Sequence, residues 1–129
     1  MRPIVSAARS ATLGVALVLA ACTPHLATPR EYIVFFETDQ ARLTPEAQQL
    51  IHEVASNARD LHPSKVVVAG RADGGTAHDA TLADERAIAV MQALAKEGLA
   101  PSLLEKEADA PQAGTAGVAA HRVIVRFLP

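Results

Sequence analysis

Between Ala47 and Ala58 the apolar residues are Ala47, Leu50, Ile51, Val54, Ala55 and Ala58. This i, i+3, i+4, i+7, i+8, i+11 spacing lines one face of an α-helix. A helix with a single apolar stripe must lie on something flat, so the chain also has to supply a sheet or further helices. The start of the helix is marked by Thr44 as N-cap, Pro45 at the first helical position and Glu46 in the first turn. Pro63 closes it.

Segments on either side supply the sheet. Tyr32 to Phe36 (YIVFF) is a β-branched and aromatic run with the character of a buried strand, and Val66 to Ala69 (VVVA) is a second. A second helix is predicted from a cap at Asp79 or Thr81 to a C-terminal glycine at Gly98. Leu82, Val90 and Leu94 mark its inner stripe, with Ala83, Ala87 and Met91 beside them. Arg86, four residues from both Leu82 and Val90, projects from the same stripe. Ser102 to Lys106 is predicted as a third strand and Arg122 to Phe127 (RVIVRF) as a fourth. The aromatics Tyr32, Phe35, Phe36 and Phe127 are expected in the core. The order strand-helix-strand-helix-strand-strand implies an α/β two-layer sandwich, with two helices on one face of a small mixed sheet.

The first two dozen residues are of a different kind. Arg2 and Arg9 precede a charge-free apolar run from Ala11 to Ala21. That run is well short of the roughly 20 residues a membrane-spanning helix needs, and it has the form of a secretory signal peptide over residues 1–21. Leu19-Ala20-Ala21-Cys22 is similar to the bacterial lipobox, in which the cysteine is lipidated. Cys22 is the single cysteine of the chain, so it has no intramolecular disulfide partner. Residues 22–31 (CTPHLATPRE) form a short tether, and 32–129 form the domain. The residue after the cysteine is Thr23 rather than aspartate, which by resemblance to bacterial lipoproteins favours the outer membrane.

Without the signal about 108 residues remain, one small domain. Of 12 basic residues ten are left against 14 acidic, a net charge near −4, which disfavours nucleic acid as a partner. The five histidines lack metal-ligand spacing. Asp73, Asp79, Asp84 and Glu85 lack the order of a calcium loop. No nucleophile elbow, P-loop or catalytic carboxylate pair is present. Neither a metal, a cofactor nor an enzymatic activity is expected.

The stretches YIVFFETDQARLTPEAQQLI, VVVAGRADGGTAHDATLADERAIAVMQAL and HRVIV together resemble the OmpA-like domain, the peptidoglycan-binding module of peptidoglycan-associated lipoproteins. The most specific matches are Leu43 to Ala47 and the spacing from Asp73 through Leu82 to Arg86-Ala87. The resemblance implies a domain facing the periplasm that grips the zwitterionic end of diaminopimelate in the peptidoglycan stem peptide. Asp73 matches the family's aspartate and Arg86 its arginine, one for the ammonium and one for the carboxylate, with amides at the start of helix two as further donors. Asp79, Leu82 and Arg122 occupy further family positions and complete the candidate binding set, and the same resemblance implies that Phe35 or Phe36, if not in the core, borders the ligand groove. Arg71 and Ala72 stand where the family usually has histidine and threonine.

The residues alone also admit a plainer account, in which Arg86 snorkels off a helix edge and Asp73 ends a strand in a turn with Gly74 and Gly75. Two functions follow. The first is an outer-membrane lipoprotein that links the membrane non-covalently to peptidoglycan. The alternative is an envelope scaffold lipoprotein that uses the same fold to dock proteins, with peptidoglycan binding lost.

Overall fold

The computed structural model describes residues 30–72, 76–107 and 120–129. The signal segment, Cys22 and Asp73 lie outside the described residues. Strand β1 (Glu31–Phe35) leads to helix α1 (Pro45–Leu61), strand β2 (Lys65–Gly70) and helix α2 (Ala77–Lys96). A 3-10 turn (Pro101–Leu103) then runs into β3 (Leu104–Glu107), and β4 (Arg122–Leu128) ends the fold. The predicted two-layer α/β sandwich is present, its four strands in the order β1-β4-β2-β3. β4 is antiparallel to both β1 and β2, while β3 is parallel to β2. The last strand thus inserts between the first two and makes the sheet mixed.

Helix α1 begins where its caps require. The Thr44 side chain accepts a hydrogen bond from the Ala47 N–H at 3.2 Å, and Pro45 opens the first turn. Its end comes at Leu61, where His62 takes a left-handed conformation (φ 49°), so Pro63 lies just beyond the helix. Ala47, Ile51, Val54, Ala55 and Ala58 are all buried on the predicted face. They pack with Ala87, Val90 and Leu94 of α2 onto Tyr32, Val34, Val66, Val68, Val123, Val125 and Phe127 of the sheet. Among the described residues no helix is long and apolar enough to cross a membrane.

Several expectations need correction. Helix α2 is capped by Thr76, ahead of both Asp79 and Thr81. Asp79 is the third residue of a capping box, its carboxylate returning to the Thr76 N–H while the Thr76 hydroxyl accepts from the Asp79 N–H. The predicted third strand divides into the 3-10 turn and β3, since Pro101 and the Leu103 N–H to Ala100 carbonyl bond favour a turn there. Phe35 is not in the core: it is 51 % exposed. β1 is an edge strand with helices on one face, so it alternates, burying Tyr32 and Val34 and turning Glu31, Ile33 and Phe35 outward. Phe36, in phase with Tyr32 and Val34, is buried.

Candidate functional site

The register places the loop ends of the strands at two poles. Glu31 pairs with Arg126 and Lys65 with Leu128 at one pole; Phe35 pairs with Arg122 and Gly70 with Val123 at the other. The second pole carries the β1–α1 loop, the β2–α2 connection and the start of β4. Every described residue of the predicted binding set lies on an element that reaches this pole.

Arg86 is its centre. The residue is 0 % exposed, the one buried charged side chain among the described residues. It does not snorkel. Its Nε donates to the Gln40 carbonyl at 2.8 Å, one terminal nitrogen to the Arg71 carbonyl at 3.0 Å and the other to the Glu37 carbonyl at 3.0 Å. The guanidinium also lies 5.5 Å from the centroid of the Phe36 ring. Three of the five donors of an arginine are thus used to fasten α2 to the two loops at this pole. These are charge-assisted bonds to carbonyls that no sheet or helix ladder satisfies, and each contributes about 1.5–3 kcal/mol. The helical spacing that put Arg86 on the inner stripe is therefore correct, and the side chain has work to do there before any ligand arrives.

Gly70 explains how α2 comes so close. A Cβ built on it would lie 2.0 Å from the Ala83 carbonyl oxygen and 3.2 Å from the Ala87 Cβ. Only a hydrogen fits between strand and helix at that crossing. Leu82, one turn before Arg86, is buried beside it. Asp79 is exposed, and its carboxylate oxygen accepts from the Thr76 hydroxyl at 2.5 Å and the Thr76 N–H at 3.1 Å. The hydroxyl first, and then the backbone N–H, hold the carboxyl below its ordinary value. Both the Asp79 N–H and its carboxylate are therefore engaged in closing the helix end.

Arg122 opens β4, and its carbonyl accepts from the Arg71 N–H at 2.8 Å, continuing the β2–β4 pairing one residue past Gly70. Arg71, whose carbonyl also binds Arg86, was not singled out as a binding residue by sequence reasoning. Its position at the end of a strand leading to Asp73 was the available signal. Arg71, Arg86 and Arg122 thus converge at one pole, while Asp79 faces its own helix cap and Asp73 lies outside the described residues. Among the described residues no group of histidines, cysteines and carboxylates has the arrangement of a metal site. An apolar groove of about 500 Å³, with Ala58, Pro63, Leu99 and Leu103 in its lining, is at the opposite pole.

Comparison with known proteins converges on one domain type. The model of the OmpA family, whose members are non-enzymatic structural and binding domains, matches residues 35–122. Outer membrane protein A of Bordetella avium is 32 % identical over 75 residues, which is 57 % of this chain and 39 % of that protein. The chain thus aligns with well under half the length of this curated relative. Among solved structures, the OmpA-like domain of FopA1 from Francisella tularensis superposes with a TM-score of 0.65 at 21 % identity, over 74 % of this chain and 69 % of that one. The peptidoglycan-associated lipoprotein of Burkholderia pseudomallei gives 0.63 at 20 % identity, over 74 % and 88 %. The periplasmic domain of Helicobacter pylori MotB gives 0.58 at 21 % identity, over 74 % and 73 %.

Proposed function

This chain belongs to the OmpA family, and from that premise we propose that it is an outer-membrane lipoprotein, acylated at Cys22, whose periplasmic domain binds peptidoglycan through the diaminopimelate end of the stem peptide. The observation that carries the reading is the family match over residues 35–122, which spans Asp73, Asp79, Leu82, Arg86 and Arg122. In this reading Asp73 takes the ligand ammonium. Arg86 has two roles: it pins the loops that shape the pole, and it lends its fixed charge to the ligand carboxylate. A cation already immobilised by carbonyls pays no further ordering entropy when the anion arrives.

A second reading, docking to an envelope protein, is favoured by the full burial of Arg86 and the engagement of Asp79 with Thr76. The two are separated by co-sedimentation of the full chain, in mild detergent, with purified sacculi. Wall binding predicts that the wild type pellets and that Asp73→Ala stays in the supernatant. Asp73 is the cleaner position, because loss of Arg86 also removes three loop contacts. A folded wild type that fails to pellet overturns the wall reading in favour of docking.

A further inference from the structure

The pole through which the chain leaves the fold toward Cys22 has an apolar rim. Leu61 ends α1 and Leu128 ends β4, and they are 38 % and 43 % exposed. The two elements meet there: the Ser64 N–H donates to the Leu128 carbonyl at 2.9 Å, and Lys65 pairs with Leu128 across the sheet. The apolar groove beside this turn adds Pro63, Leu99 and Leu103. Arg30 belongs to the same pole, since its carbonyl accepts from the Phe127 N–H at 2.8 Å. A single exposed leucine needs no account. Two at one end of a small domain, next to an apolar groove, form a patch. Its charges balance, because Arg30, Arg59 and Lys65 are set against Glu31, Asp60 and Glu105, the last within 3.8 Å of Lys65. Such a rim suits a layer that is zwitterionic at its surface and hydrocarbon beneath.

We infer that this pole rests reversibly on the bilayer that holds the anchor, with Leu61 and Leu128 entering the apolar boundary below the headgroups and Arg30, Arg59 and Lys65 supplying donors to the phosphates. The inference rests on the reading of Cys22 as acylated, and it gives a ligand, a lipid surface, to the end of the domain that peptidoglycan binding leaves unused. What selects a bilayer over other occupants is where the chain enters. The nine residues from Thr23 to Glu31 hold this pole, and not the arginine-rich one, within about 30 Å of the acylated cysteine. A short flexible link of this kind gives an effective concentration on the order of millimolar. Two leucines and a groove are too small a patch to hold a membrane unaided, but on such a link the contact is populated. Acyl chains also anchor more firmly when a second contact joins them. At rest the arginine-rich pole then stands about one strand length, roughly 24 Å, above the surface and faces away from it. Lifted, it moves out to the limit the tether allows.

The chain contains no tryptophan, so one introduced indole reports its own surroundings. The test uses the mature protein, purified from membranes and reconstituted into phosphatidylcholine vesicles whose acyl chains carry bromine, a quencher confined to the hydrocarbon. Three variants are compared: Leu61→Trp, Leu128→Trp and Ile88→Trp. Ile88, on α2 and 39 % exposed, matches the two leucines in exposure but lies away from the pole. Emission of Leu61→Trp and Leu128→Trp is expected to be quenched and shifted to shorter wavelength, and that of Ile88→Trp to be unchanged from its value in vesicles without bromine. Flotation of the same vesicles reads the anchor separately. Protein that floats while all three indoles behave alike overturns the docking and leaves the acylation standing. Protein that does not float overturns both. Leu61 and Leu128 lie on different elements, so if one variant misfolds the other decides.

Discussion

Arg86 shows how a single side chain can be both scaffold and site. Three of its hydrogen bonds reach carbonyls of residues 37, 40 and 71, between 15 and 49 positions away along the chain. Replacing it with methionine of similar length keeps the apolar contact with Phe36 but removes the three charge-assisted donors that tie both loops to α2. We expect a loss of about 3–5 kcal/mol in urea unfolding. Arg86→Lys should recover part of that loss, since a lysine keeps the charge but cannot reach three divergent acceptors from one planar fork. Asp79 carries a different kind of prediction. Its folded pKa lies below the ordinary 3.8, so the capping contribution is fully present above the unfolded value and is lost as pH falls through the folded one. The Thr76 and Asp79 amide resonances should therefore move together on acidification below about pH 3.8, and Thr76→Ala should bring the Asp79 titration back toward the ordinary carboxylate value. Titration unchanged in Thr76→Ala would show that the capping box is not its cause.

At the scale of elements, the contact that sets the site is the crossing of α2 over β2 at Gly70. Gly70→Ala puts a methyl into the Ala83 carbonyl, against backbone rather than a pliable side chain. Helix α2 must then move outward and carry Arg86 with it. Overpacking of this kind costs about 1–3 kcal/mol, and calorimetry should show a fall in Tm of about 4 °C or more for a domain of this size. The same elements show what sequence patterns can and cannot tell. Helix α1 was legible at both ends because its signals are local: a threonine cap, a proline at the first position and an unbroken stripe of apolar residues. The start of α2 was misplaced because the Thr76 box closes on aspartate rather than glutamate, leaving Asp79 and Thr81 as equally good caps. Phe35 was misjudged for a non-local reason. Whether an aromatic in a strand is covered depends on where that strand sits in the sheet, and β4 pairs with β1 from the far end of the chain. Arg86 on the inner stripe was legible from periodicity; that it would bind three carbonyls was not, because those carbonyls are brought to it by two separate loops.

For the molecule as a whole, the decisive relation is between its two poles. The chain enters β1 from Arg30, beside Arg126, Phe127 and Leu128, and the arginine-rich pole lies at the other end of the strands. An anchor at Cys22 therefore attaches opposite to the proposed binding site. Nine residues from Thr23 to Glu31 extend at most about 30 Å, and a seven-residue strand such as β4 adds about 24 Å. Under the proposed acylation the site is then held within about 55 Å of the bilayer surface. Wall binding thus depends on tether length, whereas docking to a membrane neighbour does not. Deleting Pro24 to Thr28 would withdraw the site by about 17 Å without touching the fold, and is expected to reduce chemical cross-linking to the wall in intact cells severalfold. Restoring five residues of unrelated Gly/Ser sequence should restore the cross-link, since such a linker contributes reach and no contacts. Purified sacculi should bind the deletion variant as well as the wild type, because in solution no membrane limits the approach. Undiminished cross-linking by the shortened chain in cells would mean that the wall is not what this pole must reach, and would return the choice to a protein partner at the membrane.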